Sequence, residues 1–179
     1  MIQVLDKKSN RQFAKKMRAQ MVQNGLLTRK SSIVVSKILS STDFKNAKNI
    51  ALYFPLQGEI DITNLLKIED KNFYLPRCHN LDLEFVKYVN HHSLVLGSFN
   101  IMEPLGESVE PEILDLIYIP ALMANKRNYR LGYGKGYYDR FFSKNNCKAK
   151  KIIVVPNELI SDDFKEEDND YICDSIISA

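Results

Sequence analysis

Three short, nearly continuous apolar runs, each closed by a proline, constrain this chain more than any other feature. They run from Asn49 to Phe54 before Pro55, from Leu114 to Ile119 before Pro120, and from Lys151 to Val155 before Pro156. A short apolar run without polar alternation predicts a strand covered on both faces, the usual state of strands in a parallel sheet. Proline then ends the ladder, because it has no N–H to donate. Phe73 to Leu75, Leu83 to Val89 and Tyr171 to Ile177 are further strand candidates.

Helical period lies ahead of these runs and between them. From Asp6 to Asn24, Phe13, Met17 and Met21 recur every fourth residue with Ala14 beside them, and Gly25 supplies a stop. Lys7, Lys8, Arg11, Lys15 and Arg18 fall on a neighbouring stripe, so one face is expected to pack and the next to present a basic row. Thr28 is expected to cap a second helix to about Ser41, with Ile33, Val34, Ile38 and Leu39 inward. Asp61 is expected to cap a short helix through Leu65 and Leu66, and a further helix should span Tyr137 to Lys144. Strands separated by helices predict an α/β fold with a largely parallel sheet. Such sheets bind ligands beyond the carboxyl ends of their strands, so the loops after the three prolines are where chemistry is expected.

The chain has 179 residues, enough for one domain, residues 1–179, that buries roughly 70% of its surface. Hydrophobic content of 45% and charged content of 26% exclude a disordered or collagen-like chain. Cys78, Cys147 and Cys173 are odd in number with no paired spacing, as expected of reduced thiols in a cytoplasmic protein. No apolar run approaches the roughly 18 residues of a membrane span, and Met1 to Gln12 hold no signal-like apolar core. Cys78-His79 and His91-His92 fit no zinc spacing. Residues 1–30 carry eight Lys/Arg and one acid, net +7, while residues 157–179 carry one Lys and eight acids, net −7. The two ends can attract each other, or face an anion and a metal ion respectively, or both be solvated.

The densest stretch is Asn128 to Arg140, in which Gly132, Gly134 and Gly136 alternate. Successive N–H groups of such a loop can form an anion-binding concavity, and a helix starting near Tyr137 adds its positive end. Lys135 places an ammonium in the loop, Arg130 a guanidinium at its entrance, and Asp139 a carboxylate close behind. The spacing is neither a Walker A loop nor a dinucleotide fingerprint. By physics alone it reads as a phosphate loop or as a tight turn with solvated basic residues.

Asp115 to Pro120 followed by Tyr129 to Arg140 resembles the signature of the 5-formyltetrahydrofolate cyclo-ligases, also called methenyltetrahydrofolate synthetases. In that family a strand ending in proline leads to an R-L-G-x-G-x-G-Y-Y-D loop. Ala51 to Ile60 resembles the family's strand with a following Glu. Tyr74 to Pro76, Glu103-Pro104, Asn169-Asp170 and Cys173 to Ile177 resemble further elements in the family's order. The resemblance implies a three-layer α/β/α sandwich with a central, largely parallel, Rossmann-like sheet. It implies conversion of 5-formyltetrahydrofolate and MgATP to 5,10-methenyltetrahydrofolate, ADP and phosphate, through phosphorylation of the formyl oxygen and ring closure by N10.

Carried over residue by residue, Arg130 and Lys135 would be catalytic. Arg130, Leu131, Gly132, Tyr133, Gly134, Lys135, Gly136, Tyr137 and Tyr138 would bind ATP. Phe54, Glu59 and the segment Tyr133 to Tyr137 would bind the folate. Asp139 and Asp174 would hold Mg²⁺. The family's basic pair on the first helix corresponds to Arg11 and Lys15, or without a gap to Asn10 and Ala14, which would remove both charges. Ala121 and Asn125 stand where the family usually has Gly and Asp. The resemblance therefore leaves open a relative that binds ATP or folate without turnover. A basic-loop RNA-binding protein is a third reading, opposed by the acidic carboxy-terminal run. The implied enzyme is a cytoplasmic monomer with no nucleic-acid or membrane partner.

Overall fold

The computed structural model describes residues 6–97, 100–162 and 164–179. Residues 1–5, part of the stretch expected to lack a signal-like core, and Asp163 of the acidic run lie outside the described residues. Among the described residues the central sheet has six strands. From one edge to the other they are Ser175–Ile177 (β10), Lys150–Val154 (β9), Leu116–Pro120 (β6), Asn49–Ala51 (β1), Asn72–His79 (β2) and Asp82–Lys87 (β3). All neighbours are parallel except β2 and β3, which form an antiparallel hairpin. The chain thus moves outward from β1 to β2 and β3, then returns to continue on the other side of β1 with β6. The winding reverses between β1 and β6, which is where such sheets open a crevice.

Side chains of β6 alternate between two cores. Leu116 and Tyr118 face one, together with Leu27, Val34 and Ile38 of helix α2 (Leu26–Ser40) and Phe44 of α3 (Thr42–Asn46). Ile117 and Ile119 face the other, together with Phe141 and Phe142 of α4 (Tyr137–Lys144). Helix α1 (Lys7–Gln23) contributes Ala14 to the second core and Met21 to the first, so it crosses the end of the sheet rather than lying on one face. The result is the expected three-layer arrangement. Among the described residues no helix is long and apolar enough to cross a membrane.

Several elements differ from the sequence expectations. The buried row of α1 is Asn10, Ala14, Arg18 and Met21, while Phe13 is 46% exposed. Arg18 therefore leaves the basic row and enters the interior, because carbonyl oxygens wait for it there. Helix α2 starts from Gly25 in the left-handed region, with Thr28 inside it, and Ile33 and Leu39 are exposed. Asp61 does accept the Thr63 N–H at 2.8 Å, but the turn it opens is 3-10. Strand β1 ends at Ala51, Leu52 still donates its N–H to Tyr74 at 2.9 Å, and Tyr53 and Phe54 lie past the strand. Strand β2 runs through Pro76, which is tolerated because past Tyr74 it pairs with β3 alone. Only Ser175–Ile177 of the last candidate joins the sheet, since Cys173 donates its N–H to Asn128 instead, at 2.9 Å. Hairpins Leu94–Leu96 (β4) with Met102–Pro104 (β5), and Met123–Ala124 (β7) with Arg130–Leu131 (β8), were not anticipated by periodicity, being two or three residues a strand. The charged ends do meet: Lys7 Nζ lies 2.6 Å from Asp170 and 3.1 Å from Glu167.

Candidate active site

The crevice between β1 and β6 is bounded by the loops that leave them and roofed by α1. Arg18 is 3% exposed there. Its Nη1 donates to the Gly58 carbonyl at 2.6 Å, and its Nη2 to the carbonyls of Ala121 and of Leu122, the latter at 3.2 Å. A cleft of about 370 Å³ opens beside it, lined by Lys15 and Arg18 of α1, Gln57 and Gly58 after β1, Leu122 after β6, and Tyr133. That volume lies in the range of roughly 300–1,000 Å³ typical of small-molecule sites.

The glycine-rich loop runs from β8 to α4. Arg130 is buried, its Nη2 donates to Asp139 Oδ2 at 2.8 Å, and its guanidinium lies 5.1 Å from the Tyr138 ring centre. Gly132 leaves room for it, because a Cβ there would stand 2.7 Å from Arg130 Nη1. Gly136 caps α4 at φ 66°, a left-handed conformation that other residues adopt at a cost. Arg140 fastens the loop from behind: Nη1 donates to the Lys135 carbonyl at 2.7 Å, while Nη2 and Nε donate to Leu81 on the β2–β3 turn at 2.6 and 2.9 Å. Tyr137 donates its hydroxyl to the Asn80 carbonyl of the same turn, at 3.1 Å. Lys135 itself is exposed.

Helix α1 supplies the other wall. Arg11 Nε donates to the Gly132 carbonyl at 2.9 Å, and its guanidinium carbon would lie 3.4 Å from a Cβ on Gly134. Lys15 Nζ stands 5.7 Å from the Tyr133 ring centre. Asn10 and Ala14 are buried. Of the two registers open in the sequence, the charged pair is the one at the loop.

Glu59 is 5% exposed, and its Oε2 accepts the Leu56 N–H at 2.8 Å. Burial pushes its carboxyl up to about 7, opposed by that N–H, by the positive Arg18 and by the Tyr133 hydroxyl. The hydroxyls of Tyr133 and Tyr138 are in turn raised by burial. Phe54 is half-buried at the head of the same loop, packed against the α2-side core.

The two metal candidates sit differently. Asp139 lies in the first turn of α4, with Oδ2 on Arg130 and Oδ1 3.4 Å from the Tyr171 N–H. Asp174 directly precedes β10, and its Oδ2 accepts the Lys151 N–H at the start of β9, at 2.7 Å. Asp115 does the same before β6, accepting the N–H groups of Lys48 and Asn49 beside β1. Among the described residues, no group of three His, Cys, Asp or Glu is placed to hold a metal ion.

The model of the 5-formyltetrahydrofolate cyclo-ligase family matches residues 3–178. The chain belongs to that family. A 5-formyltetrahydrofolate cyclo-ligase of Haemophilus influenzae is 35% identical over 131 residues, 68% of this chain and 69% of that protein. One of Mycoplasma genitalium is 32% identical over 133 residues, 73% of this chain and 72% of that protein. The solved 5,10-methenyltetrahydrofolate synthetase of Aquifex aeolicus superposes with a TM-score of 0.81 at 30% identity, covering 96% of this chain and 89% of that one. That of Mycoplasma pneumoniae gives 0.76 at 25% identity, covering 97% and 98%.

Two residues of this cyclo-ligase acquire roles that sequence reading did not assign. Asn125 is fully buried, and its Oδ1 accepts the N–H groups of Arg127 and Tyr129, both at 3.0 Å, which shapes the turn from β7 into β8. Its Nδ2 donates to Glu166 at 3.3 Å, a bond that a carboxylate could not make. Arg18 is the other. Its position in the row Asn10, Ala14, Arg18 was the available signal, masked by the apolar stripe beside it.

Proposed function

We propose that this cyclo-ligase converts 5-formyltetrahydrofolate to 5,10-methenyltetrahydrofolate at the expense of MgATP, releasing ADP and phosphate. The observation that carries the reading is the meeting of Arg11 and Lys15 with the Gly132–Gly136 loop, one helix flanking a glycine-rich loop with two cations. Arg130 adds a buried Nε that has no hydrogen-bond partner among the described residues, a donor suited to an anion. Arg11, Lys15, Arg130, Lys135 and the loop from Leu131 to Tyr138 would hold ATP. Phe54, Glu59 and the stretch Tyr133 to Tyr137 would hold the folate, Glu59 accepting N–H groups of its aminopyrimidinone edge.

The formyl oxygen attacks the γ-phosphorus, the bond to the β-phosphate oxygen breaks, and ADP leaves. N10 then attacks the activated formyl carbon, loses its proton, and the carbon–oxygen bond breaks to release phosphate. Phosphoryl transfer of this kind asks the protein for positioning and charge neutralisation more than for covalent help. Arg130 is held in place by Asp139 and Tyr138, whereas exposed Lys135 is free to follow the transferred charge. Mg²⁺ commonly takes one or two carboxylates and completes its shell with phosphate oxygens and water. Asp139, now engaged by Arg130 and the Tyr171 N–H, and Asp174, now accepting the Lys151 N–H, would be the carboxylates of a metal brought by the phosphates. When bound, that ion would neutralise phosphate charge.

Absorbance of the methenyl product, followed with 5-formyltetrahydrofolate, ATP and Mg²⁺ against a control without ATP, tests the reading. An ATP-dependent rise is expected, and Lys135→Ala should slow it at least ~100-fold. Folate or ATP binding without any rise would instead identify a binding relative.

A further inference from the structure

Arg18 has no part in the scheme above, yet it occupies the centre of the crevice. An arginine 3% exposed is rare and needs partners for its donors. Its partners are carbonyls of two separate loops: Gly58 after β1, and Ala121 and Leu122 after β6. These strands flank the point where the winding of the sheet reverses, so their loops leave in opposite directions. A guanidinium from a third element, α1, joins them. The contact is close, since a Cβ on Gly58 would lie 3.1 Å from Arg18 Cβ.

Glu59 follows Gly58 directly. The groups that bear on its carboxyl are the Leu56 N–H of its own loop, Arg18 from α1 and Tyr133 from the glycine-rich loop, and its charge in turn raises the hydroxyls of Tyr53 beyond β1 and Tyr138 of α4. Arg18 is the cation of that set. We infer that Arg18 is a positioning residue: it ties the loops after β1 and β6 into one crevice floor and holds Glu59 there beside Tyr133, acting through carbonyls and charge rather than on the substrate. The inference deepens the proposed reaction and rests on that reading for its catalytic half. Its electrostatic half stands without turnover.

The two halves separate by substitution. Lysine keeps the charge but lacks the planar fork that spans two loops. Methionine keeps neither. The Glu59 carboxyl is followed by ¹³C NMR in the free protein, and steady-state kinetics are measured with each substrate varied. In the unsubstituted protein the carboxyl midpoint is expected at about 7. Arg18→Met should move it up by about one pH unit, and Arg18→Lys should leave it in place. Both should lose roughly 10- to 100-fold in kcat/KM for 5-formyltetrahydrofolate, while KM for ATP changes less than about threefold. An unmoved carboxyl in Arg18→Met overturns the inference. So does Arg18→Lys with kcat/KM near that of the unsubstituted protein, a test that holds even if Arg18→Met does not fold. So does a loss that only tracks the folded fraction. An unsubstituted protein that makes no methenyl product overturns the reaction instead, and the NMR comparison still decides the link between Arg18 and Glu59.

Discussion

The carboxyl of Glu59 titrates near neutrality because the fold removes it from water and returns only part of that cost. One N–H, one hydroxyl and one guanidinium favour the charged form, and burial outweighs them. The sign follows from linkage. A carboxyl raised from 4.5 to about 7 binds its proton more tightly when folded. Its stabilisation is therefore complete below about pH 4.5 and is lost as pH rises through about 7. The difference is at most about 3.5 kcal/mol. Glu59→Gln removes the titration, so its melting temperature relative to the unsubstituted protein should be higher at pH 8 than at pH 5. Calorimetry at the two values checks this, and parallel pH profiles would refute it. Lys135 is the opposite case, a side chain with little around it, whose effect should be confined to turnover.

At the scale of elements, the glycine-rich loop is held by what surrounds it. The β7–β8 hairpin presents Arg130, α4 receives the chain from Gly136, the β2–β3 turn fixes Arg140 and Tyr137, and α1 closes the open side with Arg11. Asn125 is the pivot of the hairpin. Asn125→Asp keeps both N–H acceptances but replaces the bond to Glu166 with a like charge in a buried place. It should cost about 1–3 kcal/mol at pH 8 and less at pH 5, where a protonated carboxyl can donate again. Urea denaturation at both values measures it, and an equal loss at each would show that charge is not the cause.

For the whole molecule, the sheet separates two cores, and α1 crosses its end to touch both. Stability and site geometry are thereby partly separable. Ile117 is fully buried in the α4-side core, away from any polar contact of the crevice. Ile117→Ala should cost about 2–5 kcal/mol through lost burial and the cavity left behind. Turnover per folded molecule should stay within about twofold. A denaturation curve with activity on the same samples tests both parts, and a collapse of kcat in fully folded protein would show that the core and the crevice are coupled.

What was legible in the sequence is what short-range chemistry dictates. Apolar runs ending at prolines mark β1, β6 and β9, because a buried strand must be apolar on both faces and proline cannot extend its ladder. The R-L-G-x-G-x-G-Y-Y-D stretch marks the loop, because close backbone approach leaves few residue choices. Three features needed the tertiary structure. Which stripe of α1 packs was decided by carbonyls of Gly58, Ala121 and Leu122, 40 or more residues away in the chain, which accept from the buried Arg18 while Phe13 stays exposed. That Arg11 and Lys15 stand at the loop while Asn10 and Ala14 are buried depends on which face α1 turns to the core. The raised carboxyl of Glu59 comes from its burial by the fold, which outweighs the Leu56 N–H, Arg18 and the Tyr133 hydroxyl. Periodicity reports the residues along one helix or strand, whereas desolvation and pairing depend on what the fold brings against them.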